Sequence, residues 1–419
     1  MIKRIRESEF YRHVLTILSG STLAQLIPLL SEPIIVRLFT PIELGILALF
    51  LSVATIFASV ATARYEMAIV LPKKDEMAIN ILALSLFISV LMSLFSGLII
   101  LFFHDNITSL ANSSNLDQFL KWVPLYVLIS GIFQSFNQWA TRKKYFKNIA
   151  FSKLSQSSSN AGVSIGTGWL GWNTLGLIWG QMTGWLLGSF PLIFKFYQRD
   201  KKLVSRVNRT AMVEQAKKYK DFPQVNSAHV LSDIGQQSLV SFIIANYFTD
   251  KTLGFYSRMI RIVKVPAGFI GTAVGQVFYQ KASEQWQEKQ NIRPLLLKNI
   301  KIMGLIGIPI FSILALFGPH IFGFVLGKQW AIAGSYAQIL TPWLLLNFMI
   351  SPFTDIPLIV NKQKKFFLLS LGMNILVVLA FVLGYYVNGS ILTAFIFISA
   401  FQLVFHIYLI FWFWQIAKK

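Results

Sequence analysis

Apolar runs of about 20 residues recur along the whole chain, and that spacing is what a lipid bilayer demands of a helix. A helix rising about 1.5 Å per residue crosses the roughly 30 Å hydrocarbon core in that length. The runs lie at roughly 14–36, 44–63, 79–102, 121–140, 150–171, 174–196, 226–247, 254–279, 299–322, 336–360, 366–387 and 390–416. They predict an all-α polytopic membrane protein of about twelve transmembrane helices. Composition agrees: 55% of the 419 residues are hydrophobic and only 13% are charged. A soluble domain carries about twice that share of charge. The fifth run is the weakest, because Ser152 to Asn160 is polar.

Charge sets the orientation. With both termini in the cytoplasm, most of the 38 Lys and Arg fall in the termini and loops on that side. They include Arg142-Lys143-Lys144, the 197–225 loop with Lys217-Lys218, and Lys362, Lys364 and Lys365. This is the positive-inside pattern. It accounts for the net charge of +21 without nucleic acid, for which no patch or motif is present. The basic, polar start shows no small-residue cleavage site, so no signal peptide is expected. The longest segment on the opposite side, around His104 to Leu120, is too short to fold as a domain.

An internal repeat divides the chain. Phe39-Thr40-Pro41-Ile42-Glu43-Leu44-Gly45 reappears as Phe248-Thr249-Asp250-Lys251-Thr252-Leu253-Gly254, 209 residues further on. Each copy falls between the first two spans of its half. The expected organisation is an N-terminal six-helix lobe (1–196), a basic linker-like cytoplasmic loop (197–225) and a C-terminal six-helix lobe (226–419). An even span count per lobe makes this a parallel repeat, with a central cavity between the lobes.

Ionisable groups at membrane depth mark function by default, since lipid does not solvate them. The eighth span carries Arg258, Arg261 and Lys264 at i, i+3 and i+6, one stripe of a helix. Arg258 is also placed to snorkel to the headgroups. The seventh span carries Asp233, a candidate partner of that stripe or a proton or cation site. Gln25, Pro28 and Glu32 share a face of the first span, with Arg37 at its end. Ser152, Lys153, Gln156 and Ser159 make the fifth span polar enough to line an interior. Asp355 lies between Pro352 and Pro357, where a broken helix would free carbonyls. Trp412 and Trp414 read as interfacial belt residues.

Catalytic chemistry finds no foothold. The chain has no cysteine, and its five histidines lack paired ligand spacing. No Walker A pattern is present. No catalytic residue, metal or cofactor is expected.

Gly20-Ser21-Thr22-Leu23-Ala24-Gln25, Arg37-Leu38-Phe39-Thr40-Pro41 and Leu44-Gly45 resemble the polysaccharide transporter family, the O-antigen flippases and their relatives. Arg64-Tyr65-Glu66-Met67-Ala68-Ile69-Val70-Leu71-Pro72-Lys73 is the most specific stretch. Leu253-Gly254-Phe255-Tyr256-Ser257-Arg258, Arg261 and Gly275-Gln276-Val277-Phe278 resemble its second-half counterpart. The resemblance implies the fold of the multidrug/oligosaccharidyl-lipid/polysaccharide exporter superfamily and a place in the bacterial inner membrane. It implies carriage of an undecaprenyl-diphosphate-linked glycan to the periplasmic leaflet, among membrane lipids. A polymerase and a chain-length regulator of the same pathway become candidate partners.

The stripe would then meet the diphosphate, with Gln25, Gln156 and Lys153 toward the sugars. Asp233, Glu32, Arg37, Arg64, Glu66 and Asp355 are candidates for ion coupling or gating. Arg64 and Glu66 read equally as an anchoring ion pair. A multidrug exporter or a lipid II flippase of the same superfamily is the rival transporter. A glycan polymerase or acyltransferase is the rival enzyme.

Overall fold

Helices form where the spans were expected. The computed structural model describes residues 24–418. The first ten residues of the first expected span lie outside the described residues, as does the Gly20–Leu23 lead of the family stretch. Among the described residues there is no strand. The chain divides into two compact units that meet in sequence at Asn246 and Tyr247.

The first unit holds α1 (24–38), α2 (Pro41–Ser59), α3 (Asp75–Ala111), α4 (Ser114–Leu120), α5 (Val123–Arg142), α6 (Phe146–Trp169), α7 (Asn173–Arg199), α8 (Arg209–Lys218) and α9 (Ser227–Tyr247, its last residue in the second unit). The second holds α10 (Asp250–Gln287), α11 (Arg293–Leu326), α12 (Ala331–Ile350), α13 (Ile356–Ile359), α14 (Gln363–Asn388) and α15 (Ile391–Ile416). Among the described residues seven helices are long and apolar enough to cross a membrane, and nine if the bent α4–α5 pair and the bent α10 each count as one. The described part of α1, with α6 and α9, occupies the three remaining expected positions. This is a multi-pass, all-α membrane protein.

The repeated sequence is a helix start. Thr40 caps α2, its hydroxyl accepting from the Glu43 amide while Glu43 accepts from the Thr40 amide at 2.6 Å. Thr249 caps α10 in the same way, its hydroxyl accepting from the Thr252 amide at 3.1 Å. The Leu of each copy, Leu44 and Leu253, is fully buried. The conserved pieces of the repeat are therefore a cap and the first core anchor behind it.

Part of the polarity of α6 serves a helix–helix contact. Its polar side meets α7, whose Gly176, Gly180, Gly184 and Gly188 form a small-residue edge every fourth position. A Cβ on Gly184 would stand 2.9 Å from the Gln156 carbonyl oxygen, and one on Gly180 would collide with Ser164. Ser152 is buried and donates to the Gly188 carbonyl at 2.5 Å; Ser155 donates to the Leu187 carbonyl at 3.0 Å. These hydroxyls satisfy themselves across a close helix–helix seam. The α11–α12 hairpin closes in the same manner, with the backbones of Gly318 and Gly334 in direct contact.

The 197–225 loop is not linker-like. Lys201–Arg206 forms a 3-10 turn, α8 follows, and both fold onto α3, while Phe222–Asn226 meets the Tyr65–Val70 turn. Asn80 reaches out of α3 to accept from the Asn208 amide at 2.9 Å and to donate to the Arg206 carbonyl at 3.2 Å. The Tyr65 hydroxyl donates to the Ala216 carbonyl at 3.0 Å. Leu203, Val207, Met212, Ala216 and Tyr219 pack on a core that includes Ile79, Leu82 and Trp139. This segment is a folded cap of the first unit.

The second unit has an aromatic core. Trp330 is fully buried, with the Phe255 ring 5.3 Å away, and Tyr336 meets Phe395 at 4.9 Å. Trp412, expected in an interfacial belt, is buried instead and stacks on Phe366 at 6.3 Å. Trp414 carries the Arg293 guanidinium 3.8 Å above its ring.

Candidate functional site

The three cations of the eighth span sit on α10 in a gradient of exposure. Arg258 is buried, Arg261 half-buried and Lys264 exposed. The Lys264 ammonium lies 4.9 Å from the centre of the Trp343 ring on α12, a cation–π contact. His406, on α15, is buried and its Nδ1 donates to the Gln402 carbonyl at 2.7 Å, since a carbonyl only accepts. Lys264 is within electrostatic reach of it.

One turn beyond Lys264, α10 becomes a run of small residues. Gly268, Gly271, Thr272 and Gly275 line a hollow of about 370 Å³ together with Ser351, Pro352 and Asp355. The hollow exists because α12 stops at Ile350, a 3-10 turn follows, and α13 starts only at Ile356. The expected break around Asp355 is therefore present. Gly275 lets α10 approach: a Cβ there would stand 3.2 Å from the Pro352 carbonyl oxygen. Stripe and hollow share one helix, with Arg258 about 26 Å from Gly275 along its axis.

The other expected site residues lie in the first unit. Glu32 is buried in α1, while Gln25 and Arg37 are exposed. Lys153 and Gln156 are half-buried on α6, and Asp233 is exposed on α9. Arg64 adopts a left-handed backbone, φ 63°, at the turn after α2. Its guanidinium pairs with Glu66 at 3.3 Å, and Thr62 donates a short hydrogen bond to the same carboxylate. Burial pushes the Glu66 carboxyl above the usual carboxylate range, against the pull of Thr62 and Arg64.

Sequence reasoning passed over the group that locks this turn. Arg142, at the end of α5, donates to the Asp75 carboxylate at 2.9 Å and to the Ile69 and Pro72 carbonyls at 3.1 and 2.6 Å. Lys143 bridges Asp75 at 2.5 Å and Asp200 at 3.4 Å. Asp200 also accepts from Trp139 at 2.9 Å and Tyr145 at 3.1 Å. Burial opposes the Lys143 charge, but Asp75 and Asp200 outweigh it and hold the ammonium above the usual lysine range. Arg142→Ala leaves the Ile69 and Pro72 carbonyls without this donor and Asp75 with Lys143 as its remaining cation. It should cost about 2–3 kcal/mol and expose the Lys73–Lys74 bond to trypsin first, read by limited proteolysis of the purified protein. Cleavage at the wild-type rate would show the lock to be redundant.

The fold is that of the MOP superfamily of transporters. The lipid II flippase MurJ in an inward closed conformation aligns with a TM-score of 0.74 at 13% identity, over 96% of this chain and 90% of that one. An inward-facing multidrug resistance MATE family transporter aligns at 0.63 and 16% identity, over 96% and 94%. A MOP superfamily transporter from Pyrococcus furiosus, described as having a binding pocket of reverse polarity, aligns at 0.51 and 16%, over 98% and 96%. Among curated proteins no sequence matches. The polysaccharide biosynthesis protein family matches residues 34–334, and the chain belongs to that family. The family expectation drawn from Arg64 to Lys73 and its second-half counterpart is met.

Proposed function

We propose that this chain is a flippase that moves an undecaprenyl-diphosphate-linked oligosaccharide from the cytoplasmic to the periplasmic leaflet by alternating access, with both termini in the cytoplasm of a bacterial inner membrane. One observation carries the reading: three basic side chains share a stripe of a membrane-depth helix in a member of a polysaccharide biosynthesis family. A diphosphate is the anion such a stripe suits, because guanidinium forks and an ammonium give it charge-assisted hydrogen bonds. Arg258, Arg261 and Lys264 bind the diphosphate; Gln25, Gln156 and Lys153 meet the glycan. Asp233, Glu32, Arg37, Arg64, Glu66 and Asp355 serve coupling or gating. A pump for cationic drugs would be poorly served by this stripe.

Reconstitution tests the proposal. Proteoliposomes should equilibrate a polyprenyl-diphosphate-linked oligosaccharide between leaflets and leave a cationic dye gradient unchanged. Dye movement without glycolipid movement would overturn it in favour of a drug exporter. Preference for lipid II over longer glycans would reassign the substrate.

A further inference from the structure

The folded cap and α3 line a second, half-open hollow of about 930 Å³, far along the chain from the basic stripe. Its floor is Leu84 and Phe87 on α3. Met212, Val213 and Ala216 of α8 form an apolar wall. Arg209, Lys217 and Lys220 complete the lining, and all three are exposed. The lining positions from Arg209 to Lys220 follow i, i+3, i+4, i+7, i+8 and i+11, so one face of the helix and its following turn presents an apolar stripe ended by cations. That is the layout of a helix lying at a bilayer interface. Among the described residues, no carboxylate forms an ion pair with Arg209, Lys217 or Lys220, although the adjacent Arg206 pairs with Glu76 at 3.7 Å.

Past the hollow, α3 carries an exposed apolar face. Leu84 and Phe87 stand about 14 and 18 Å along the axis from its first residue. Beyond them Val90, Leu91, Leu94, Phe95, Leu98 and Leu101 are all exposed, an apolar track on helical spacing. A molecule with an anionic head and a long apolar tail matches both ends at once.

We propose that the groove between α3 and α8 binds one anionic phospholipid, with its phosphate among Arg209, Lys217 and Lys220 and an acyl chain over Leu84 and Phe87. This rests on the membrane placement proposed above, which sets α8 at the cytoplasmic headgroup level. The site is separate from the stripe assigned to the glycan carrier. It would tie the cap, and through Asn80 and Tyr65 the turn after α2, to the charge of the leaflet.

Native mass spectrometry of the full-length protein, released from nanodiscs of mixed phosphatidylcholine and phosphatidylglycerol, tests this. The wild type should retain phosphatidylglycerol in preference. Arg209→Gln/Lys217→Gln/Lys220→Gln should cut that preference about tenfold or more, because each cation near an anionic headgroup contributes. Val213→Glu, which removes no cation and sits at an exposed position, should do the same by repulsion. Equal retention of both lipids by the wild type, or an unchanged preference in both variants, overturns the proposal. Displacement of phosphatidylglycerol by a polyprenyl diphosphate that the triple variant no longer retains would also overturn it, giving the groove to the substrate. No transport is measured, so an intact lipid preference beside a failed flipping assay rejects the proposed function alone.

Discussion

Arg261→Ala is expected to stop glycolipid flipping, with a rate loss of roughly 100-fold or more, while Arg261→Lys keeps part of it. Truncating one partner of a desolvated charge pair costs about 2–5 kcal/mol, and 3 kcal/mol is already two orders of magnitude in rate. Lysine keeps the charge and loses the bidentate fork, hence the graded series. Arg261 is half-buried, between the buried Arg258 and the exposed Lys264, so it combines restraint with access. In cells the Ala variant should accumulate lipid-linked glycan on the cytoplasmic leaflet and lose surface polysaccharide. Wild-type flipping by the Ala variant would remove the stripe from substrate binding.

Gly334→Ala is expected to break the α11–α12 hairpin by adding a single methyl group. The atoms it would meet are backbone: the Gly318 carbonyl, 2.5 Å away at its carbon, and the Pro319 Cα at 2.6 Å. No side chain can rotate aside, so the helices must separate, at about 3 kcal/mol or more. Gly372→Ala, at a position with nothing within 4 Å, is the matched control and should be silent. Thermal unfolding in detergent reads both. An unchanged midpoint for Gly334→Ala would mean that the hairpin is looser than its backbone contact implies.

The parts of the fold that obey local rules were legible. Span positions follow from hydropathy, and each expected span in the described chain lands on a helix. The pair Pro352 and Pro357 marked the break around Asp355, because proline removes a backbone donor and unsettles the helix before it. The paired Thr-x3-Leu-Gly segments announced themselves as a repeat, though not as caps. What failed depends on partners distant in sequence. Asn80 and Asn208, or Trp139 and Asp200, leave no periodicity to read, so the cap passed for a linker. The polarity of α6 was visible, but its use was not. Four glycines on the next helix held part of the answer, and only their spacing against Ser152, Gln156, Asn160 and Ser164 reveals the seam. Trp343 and His406 beside Lys264 carried no sequence signal at all.

The α6–α7 seam bears on how the chain is made. During synthesis α6 leaves the ribosome before α7, and by composition it is not among the helices apolar enough to enter lipid alone. Its hydroxyls find acceptors at Leu187 and Gly188, just past the middle of the partner. Insertion of α6 is therefore coupled to the emergence of α7, and the two enter the bilayer as one hairpin. The insertion machinery must shelter a polar helix for about 30 residues of further translation, the length of α7 and its turn.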